Sequence, residues 1–109
     1  MDVVRAMEQD SGIPLANLRV DGGMVANRLL MQFQADMLDV QVIAPKVTET
    51  TALGAAYAAG LAVGFWSDKD ELKKNWVSGA SYEADMDNAK RIKLYKGWKK
   101  AISKSLDWL

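Results

Sequence analysis

The sequence predicts an α/β fold in which several helices accompany a small number of strands. Of its 109 residues, 50% are hydrophobic and 26% are charged, a composition typical of a globular chain rather than a disordered one. Apolar residues recur with helical spacing in most segments, and two short segments with strand character interrupt them. A chain of this length fits one domain or part of a larger one.

The first half of the chain predicts helices and strands in alternation. Residues 2–11 carry apolar side chains on one face and are followed by Gly12, so a helix should end there. Residues 18–20 predict a short strand that ends at an Asp-Gly-Gly turn. Apolar spacing then predicts a helix over residues 24–39. Residues 40–44 alternate and are rich in β-branched side chains, which predicts a second strand.

Two more helices are predicted after the second strand. The first covers roughly residues 50–63, with Thr48 as its cap. Ser67 and Asp70 have the spacing of a capping box, which predicts a short helix that extends to about Trp76.

The remaining residues predict a loop and one long helix. Residues 78–80 are small and include a glycine, which favours a loop. Asp85 or Asp87 caps the last helix, which runs to about Trp108. Its apolar stripe consists of Ile92, Tyr95, Trp98, Ile102 and Leu106.

Only two strands are predicted among these helices, too few for an independently stable sheet. We therefore interpret them as the edge of a larger sheet. The chain is treated as one segment, 1–109, with a β-α core over residues 1–77 and a terminal helix over residues 85–109.

Composition excludes several classes of function. The chain has no cysteine and no histidine, which rules out disulfides, thiolate or imidazole metal sites, and catalysis centred on either residue. Fourteen basic residues balance fourteen acidic ones, so net charge gives no reason to expect nucleic acid or an anionic membrane as a partner. No apolar run has membrane-spanning length, and no signal-peptide pattern is present. A cytoplasmic location is expected.

The Asp-Gly-Gly turn is the strongest candidate for a ligand site. Gly22 and Gly23 would let the backbone approach a ligand closely, and the helix behind them presents free N–H groups. The amide of Asn27, in the first helical turn, could bond an adenine or ribose edge. The alternative is an ordinary β-α turn in which Asp21 caps the helix. Spacing alone favours this alternative, since neither a dinucleotide fingerprint nor a P-loop is complete.

Two other patterns are better explained by structure than by chemistry. A stripe of small residues on the third helix predicts close packing against a sheet or another backbone. The stripe consists of Ala52, Ala55, Ala56, Ala59 and Gly60. Acidic groupings occur at helix ends and on polar faces, where capping and solvation account for them. These groupings are Asp36 with Asp39, Asp68 with Asp70 and Glu71, and Asp85 with Asp87. No catalytic residue and no metal ligand is predicted.

The last helix is strongly basic, which raises the hypothesis that it binds nucleic acid. Its basic residues are Lys90, Arg91, Lys93, Lys96, Lys99, Lys100 and Lys104. Tyr95 and Trp98 lie between them but share the apolar stripe, so burial explains the aromatic side chains better. The basic side chains are then expected on the solvated face, and no nucleic acid is expected as a partner.

Taken together, four segments resemble the C-terminal region of glycerol kinases. They are residues 20–27, 30–36, 49–66 and 95–101, in the same order as in that family. Glycerol kinases belong to the FGGY carbohydrate kinases, so the resemblance implies the C-terminal portion of a partial actin-like (ribonuclease H-like) ATPase domain. It implies transfer of the γ-phosphoryl group of ATP, with Mg²⁺, to glycerol.

The resemblance also assigns the residues of the glycine turn. Gly23 would offer a backbone contact to the nucleotide, Asn27 a side-chain hydrogen bond to its adenosine end, and Gly22 would support the turn. The general base, the phosphate loops and the residues that bind glycerol precede this region in the family. The expected partners are therefore ATP or ADP and the remainder of the kinase chain, and the isolated chain is expected to be inactive. The alternative is a non-catalytic association module derived from the same fold, which includes self-association as a homo-oligomer.

Overall fold

The computed structural model describes residues 1–75 and 78–106 of the chain. Within them, five α-helices, one short 3₁₀ turn and three strands are formed. In chain order they are α1 (Asp2–Ser11), β1 (Asn17–Arg19), the 3₁₀ turn (Gly23–Ala26), α2 (Arg28–Leu38), β2 (Gln41–Pro45), α3 (Thr50–Ala62), α4 (Lys69–Lys73), β3 (Ser78–Tyr82) and α5 (Asn88–Ser105). The predicted α/β class and the five helices are confirmed. The predicted helix ends at Trp76 and Trp108 lie outside the described residues.

The three strands form one sheet with β2 in the centre. β1 runs parallel to β2, with Leu18 beside Val42, and β3 runs antiparallel to it on the other side. The prediction of a loop over residues 78–80 is wrong. A Cβ at Gly79 would lie 2.8 Å from the carbonyl oxygen of Pro45, so the glycine permits close strand approach beside an irregularity at the end of β2.

The core lies where α2 covers the central strand. Val42 is fully buried and Ala44, two residues on, points to the same side of the sheet. Met31 and Ala35, one helical turn apart, are the buried residues of α2. Val25 from the 3₁₀ turn joins this cluster, which fixes the segment after β1 against the sheet.

The predicted continuous helix over residues 24–39 is wrong in its first turn. The 3₁₀ turn ends at Ala26, and Asn27 has an extended backbone (φ −81°, ψ 96°) before α2 begins. The side chain of Asn27 accepts a hydrogen bond from the backbone N–H of Leu30 at 3.0 Å. Asparagine favours this capping geometry over a helix interior, which explains the break.

The small-residue stripe of α3 does not pack closely within the described part of the chain. Its alanines are exposed, and Gly60 is the buried member. A Cβ at Gly60 would lie 2.2 Å from the indole ring of Trp66, so the glycine makes room for that ring. Thr48 is not the cap: Glu49 stands at the cap position of α3, and its side chain makes no capping hydrogen bond.

The capping box of α4 begins one residue later than predicted. Asp68, not Ser67, is the cap, and its carboxylate accepts from the backbone N–H groups of Asp70 and Glu71. The Glu71 carboxylate in turn accepts from the N–H of Ser67 at 2.9 Å. As in a capping box, two side chains thus accept hydrogen bonds from backbone N–H groups at the helix start. A carboxylate can accept these bonds as a hydroxyl does.

Helix α5 is attached to α2 by a buried arginine. Arg91 is 8% exposed, contrary to the expected solvated position. It donates to the backbone oxygens of Asp36 and Met86 and to the carboxylate of Asp39 at 2.8 Å. Asp87 caps the helix, as one of the two predicted alternatives.

The apolar stripe of α5 is only partly covered. Tyr95 and Ile102 are half-buried, whereas Ile92, Trp98 and Leu106 are exposed, with Trp98 at 56%. The prediction that both aromatic residues are buried is therefore wrong for Trp98. Tyr95 and Trp98 instead donate hydrogen bonds to the carboxylate of Asp2 at the start of α1.

We expect the fold to lose stability as the pH falls through about 4. The backbone N–H of Asp85 lowers the pKa of the Asp36 carboxyl below its ordinary value of 3.8, and the Tyr95 hydroxyl lowers the pKa of Asp2 in the same way. Since the folded chain then binds fewer protons than the unfolded chain, this stabilisation is present above the ordinary pKa. It is lost as the pH falls through the lowered values.

Urea unfolding at about pH 5 and about pH 3 measures this effect. The variant D36N keeps a hydrogen-bond acceptor at the same place but does not titrate. Its urea midpoint should fall less between the two pH values than that of the wild type. Equal falls would contradict the assignment to Asp36.

Candidate nucleotide site

The glycine turn lies at the carboxyl ends of the two parallel strands. β1 leads into it, and β2 leads at the same edge into the segment before α3. In open α/β sheets, ligands bind outside the carboxyl ends of parallel strands. The predicted site residues are therefore placed where this architecture can bind a ligand.

The two glycines of the turn are required for different reasons. Gly22 has φ 85° and ψ 173°, a backbone region that is essentially restricted to glycine. Gly23 does not have a positive φ. At both positions, apart from the glycine and its two chain neighbours, no atom of the described residues lies within 4 Å of where a Cβ would be. The fold requires glycine at position 22, and neither backbone nor packing requires it at position 23.

Asn27 lies between the 3₁₀ turn and α2 and is the N-cap residue of α2. Its N–H donates to the oxygen of Met24 at 3.0 Å, and its Oδ1 caps the N–H of Leu30. The side chain is exposed. Because the amide oxygen is engaged by the helix, the NH₂ group is the part of the amide that is oriented to donate to a ligand.

Asp21 does not cap a helix, contrary to the ordinary-turn alternative. Its Oδ2 accepts a hydrogen bond from the Thr50 hydroxyl at 2.6 Å, which joins the glycine turn to the first residue of α3. The two residues line a cleft of about 170 Å³ together with Arg19, Val20 and Pro45. Sequence reasoning missed Thr50. The Thr-rich segment after β2, at the same sheet edge as the turn, was the available signal.

The predicted site residues are brought together by a short piece of chain. Gly22, Gly23 and Asn27 follow one another through the 3₁₀ turn, and all three are exposed. Val25, which lies between them, is 7% exposed and anchors the turn to the core. The arrangement presents exposed backbone and one side-chain amide at a fixed edge, which suits a polar ligand rather than a bond-breaking step.

Several carboxylates elsewhere in the described residues make contacts within the fold, such as the caps Asp68 and Asp87. In that part of the chain, no three acidic side chains converge as a metal site would require. None of the helices that the structure describes is both long and apolar enough to cross a membrane.

Comparisons with known proteins show the family to which this fold belongs. Residues 1–63 match the C-terminal domain of the FGGY family of carbohydrate kinases. A glycerol kinase from Chloroflexus aurantiacus is 61% identical over 108 residues, which are 99% of this chain and 22% of that protein. The chain thus spans about a fifth of the length of the curated relatives it matches.

Solved structures show the same fold. A Plasmodium falciparum glycerol kinase with ADP is 37% identical and superimposes with a TM-score of 0.82, over 98% of this chain and 22% of that one. A ligand-bound xylulose kinase from Lactobacillus acidophilus, 20% identical, gives a TM-score of 0.63 over 81% of this chain and 19% of that one. The fold is therefore the C-terminal portion of an actin-like ATPase domain, as the sequence predicted.

Proposed function

The chain belongs to the FGGY family of carbohydrate kinases, and on that premise we propose that it supplies the adenosine-contacting part of the ATP site of a glycerol kinase. The observation that carries this proposal is the glycine turn at the carboxyl ends of two parallel strands, with a glycine at position 23 that the fold itself does not require. The 61% identity to a glycerol kinase favours glycerol as the acceptor. The structural relative with bound ADP favours an adenine nucleotide.

Each residue of the turn has a separate role in this proposal. Gly22 holds the turn in a conformation that other residues rarely adopt. Gly23 lets the nucleotide approach the backbone, because a side chain there would project from the exposed face of the turn. Asn27 donates a hydrogen bond from its NH₂ group to the adenosine end of ATP, while its oxygen remains the cap of α2.

Catalysis is assigned to the remainder of the kinase chain. Phosphoryl transfer requires groups that position the γ-phosphate, a metal ion that neutralises its charge, and a base for the attacking hydroxyl. In our proposal Mg²⁺, the phosphates and glycerol are bound by residues outside this segment, so the 109-residue chain alone does not turn over ATP. The cellular site of action is the cytoplasm.

The remainder of the kinase is also the partner that fits the surface. Large apolar side chains are exposed on several elements, among them Leu29 and Val63 at 81% each and Phe65 at 74%. Contact with the remainder of the kinase would remove the apolar area of these side chains from water. This observation favours a piece of a larger domain over a self-sufficient binding module.

The proposal is tested in a chimeric kinase, in which this chain replaces the matching segment of the Chloroflexus aurantiacus relative. We expect the chimeric kinase to phosphorylate glycerol with ATP. The variant N27A should raise the KM for ATP about tenfold, the cost of one lost hydrogen bond in a binding site, without changing the KM for glycerol.

Because Asn27 also caps α2, the matched variant is N27D, which keeps the capping oxygen but lacks the NH₂ donor. It should preserve thermal stability and still weaken ATP binding. An unchanged KM for ATP in both variants would show that Asn27 does not contact the nucleotide.

A further inference from the structure

We infer that Asp21 and Thr50 act together as positioning residues for the nucleotide. The hydrogen bond between their side chains fixes the glycine turn relative to the start of α3. This inference rests on the proposed function, since it concerns the same site. It adds two residues that are not themselves ligands but determine where the ligands lie.

The bond connects two segments that are distant in sequence. Asp21 directly precedes Gly22, and Thr50 is the first residue of α3, 29 positions later. The hydroxyl donates to an ionised carboxylate at 2.6 Å, and charge-assisted bonds of this kind are roughly twice as strong as neutral ones. The pair therefore bridges the carboxyl ends of β1 and β2 at the point where the turn begins.

The turn needs such a contact because its own residues provide little restraint. Gly22 has no side chain, and glycine populates several backbone regions in the absence of other constraints. On its inner side, the turn is held by the buried Val25, whose N–H donates to the oxygen of Gly22 at 3.1 Å. On the side of α3, the bond between Asp21 and Thr50 provides the corresponding restraint. A turn that is already ordered binds a ligand more tightly, because less conformational freedom is lost on binding.

A direct role for Asp21 as a ligand of the nucleotide is the competing explanation. Its carboxylate could accept from a ribose hydroxyl, but it would repel a phosphate group. The Thr50 hydroxyl already occupies Oδ2, which favours positioning. The two explanations predict different effects on 2′-deoxy-ATP. Loss of a residue that binds the ribose 2′-hydroxyl weakens the binding of ATP but not of 2′-deoxy-ATP, whereas loss of a positioning residue weakens the binding of both equally.

The test compares T50V with T50S in the chimeric kinase. Valine is nearly isosteric with threonine but cannot donate, and serine retains the donor. We expect T50V to raise the KM for ATP and for 2′-deoxy-ATP by the same factor, about tenfold, with little change in kcat or in the KM for glycerol. T50S should restore the wild-type KM. D21N, whose amide oxygen accepts only a weaker neutral bond, should raise the KM for both nucleotides by the same factor, but by less than T50V does.

Three outcomes decide between the explanations. If T50V binds ATP like the wild type while N27A does not, the inference is wrong and the proposed function stands. If D21N weakens ATP but not 2′-deoxy-ATP, Asp21 is a ribose ligand and the positioning role is overturned. If N27A, N27D and T50V all leave the KM for ATP unchanged, the nucleotide site itself lies elsewhere and both proposals fail.

Discussion

Replacement of Gly22 by alanine is expected to destabilise the turn and to cause the largest loss of nucleotide binding of any single substitution in this chain. With φ 85° and ψ 173°, the residue occupies a region where a Cβ is strained by its own backbone. The strain costs about 1–3 kcal/mol or forces the turn into another conformation. Either result displaces Gly23 and Asn27, so the KM for ATP in the chimeric kinase should rise by about 100-fold or more.

Gly23→Ala is the matched control for this prediction. Beyond its two chain neighbours, a Cβ at position 23 would meet no atom within 4 Å in the part of the chain that the structure describes, and the backbone there has no positive φ. The stability of G23A to urea should therefore stay within about 0.5 kcal/mol of the wild type, although its nucleotide binding weakens. Equal stability of G22A and G23A would contradict the turn geometry, and unchanged ATP binding in G23A would contradict close approach of the nucleotide.

Arg91→Met should have the largest effect on the stability of the isolated chain. The guanidinium donates three hydrogen bonds that connect α5 to the end of α2 and to the segment before α5. Methionine keeps the apolar length of the side chain but leaves the backbone oxygens of Asp36 and Met86 without this donor. We expect a loss of about 3 kcal/mol in the free energy of unfolding, measured by urea denaturation.

Lys93→Met is the control for Arg91, since Lys93 lies two residues further along the same helix and is exposed. Like R91M, K93M removes one positive charge from α5. It should nevertheless change the free energy of unfolding by less than about 0.5 kcal/mol. A similar loss in both variants would mean that overall charge, rather than the specific contacts of Arg91, determines how α5 is attached.

Apolar spacing predicted which segments are helical, but it predicted the first and last residues of those helices less accurately. Helix α1 ends at Gly12 as predicted, because a glycine in the left-handed conformation terminates a helix by itself. Asn27 was placed inside a helix, since apolar spacing does not reveal that its side chain competes for the helix N–H groups. β3 was missed because Gly79 is a typical loop residue, and only its closeness to Pro45 shows why a strand requires it.

Tertiary contacts account for the remaining differences. The burial of Arg91 depends on the backbone of Asp36 and Met86, and charge patterning alone assigned it to the solvated face with the lysines. Trp98 shares a stripe with Tyr95, which predicts burial, yet its side chain is 56% exposed and its indole N–H donates to the Asp2 carboxylate. Gly22, Gly23 and Asn27 could be proposed from a contiguous motif. The Thr-rich segment after β2 was a signal for Thr50, but local spacing does not reveal its bond to Asp21, which depends on which strands are neighbours.

Photolabelling is the most direct test of the claim that the glycine turn and Asn27 form the adenosine end of an ATP site. The chimeric kinase is irradiated with 2-azido-ATP, digested with trypsin, and the labelled peptides are identified by mass spectrometry. Cleavage after Arg19 and Arg28 releases residues 20–28, which contain the whole turn and Asn27. We predict that this peptide carries the label and that excess ATP prevents it. Labelling that ATP prevents but that maps only to other peptides, in a chimeric kinase that turns over ATP, would contradict the assignment.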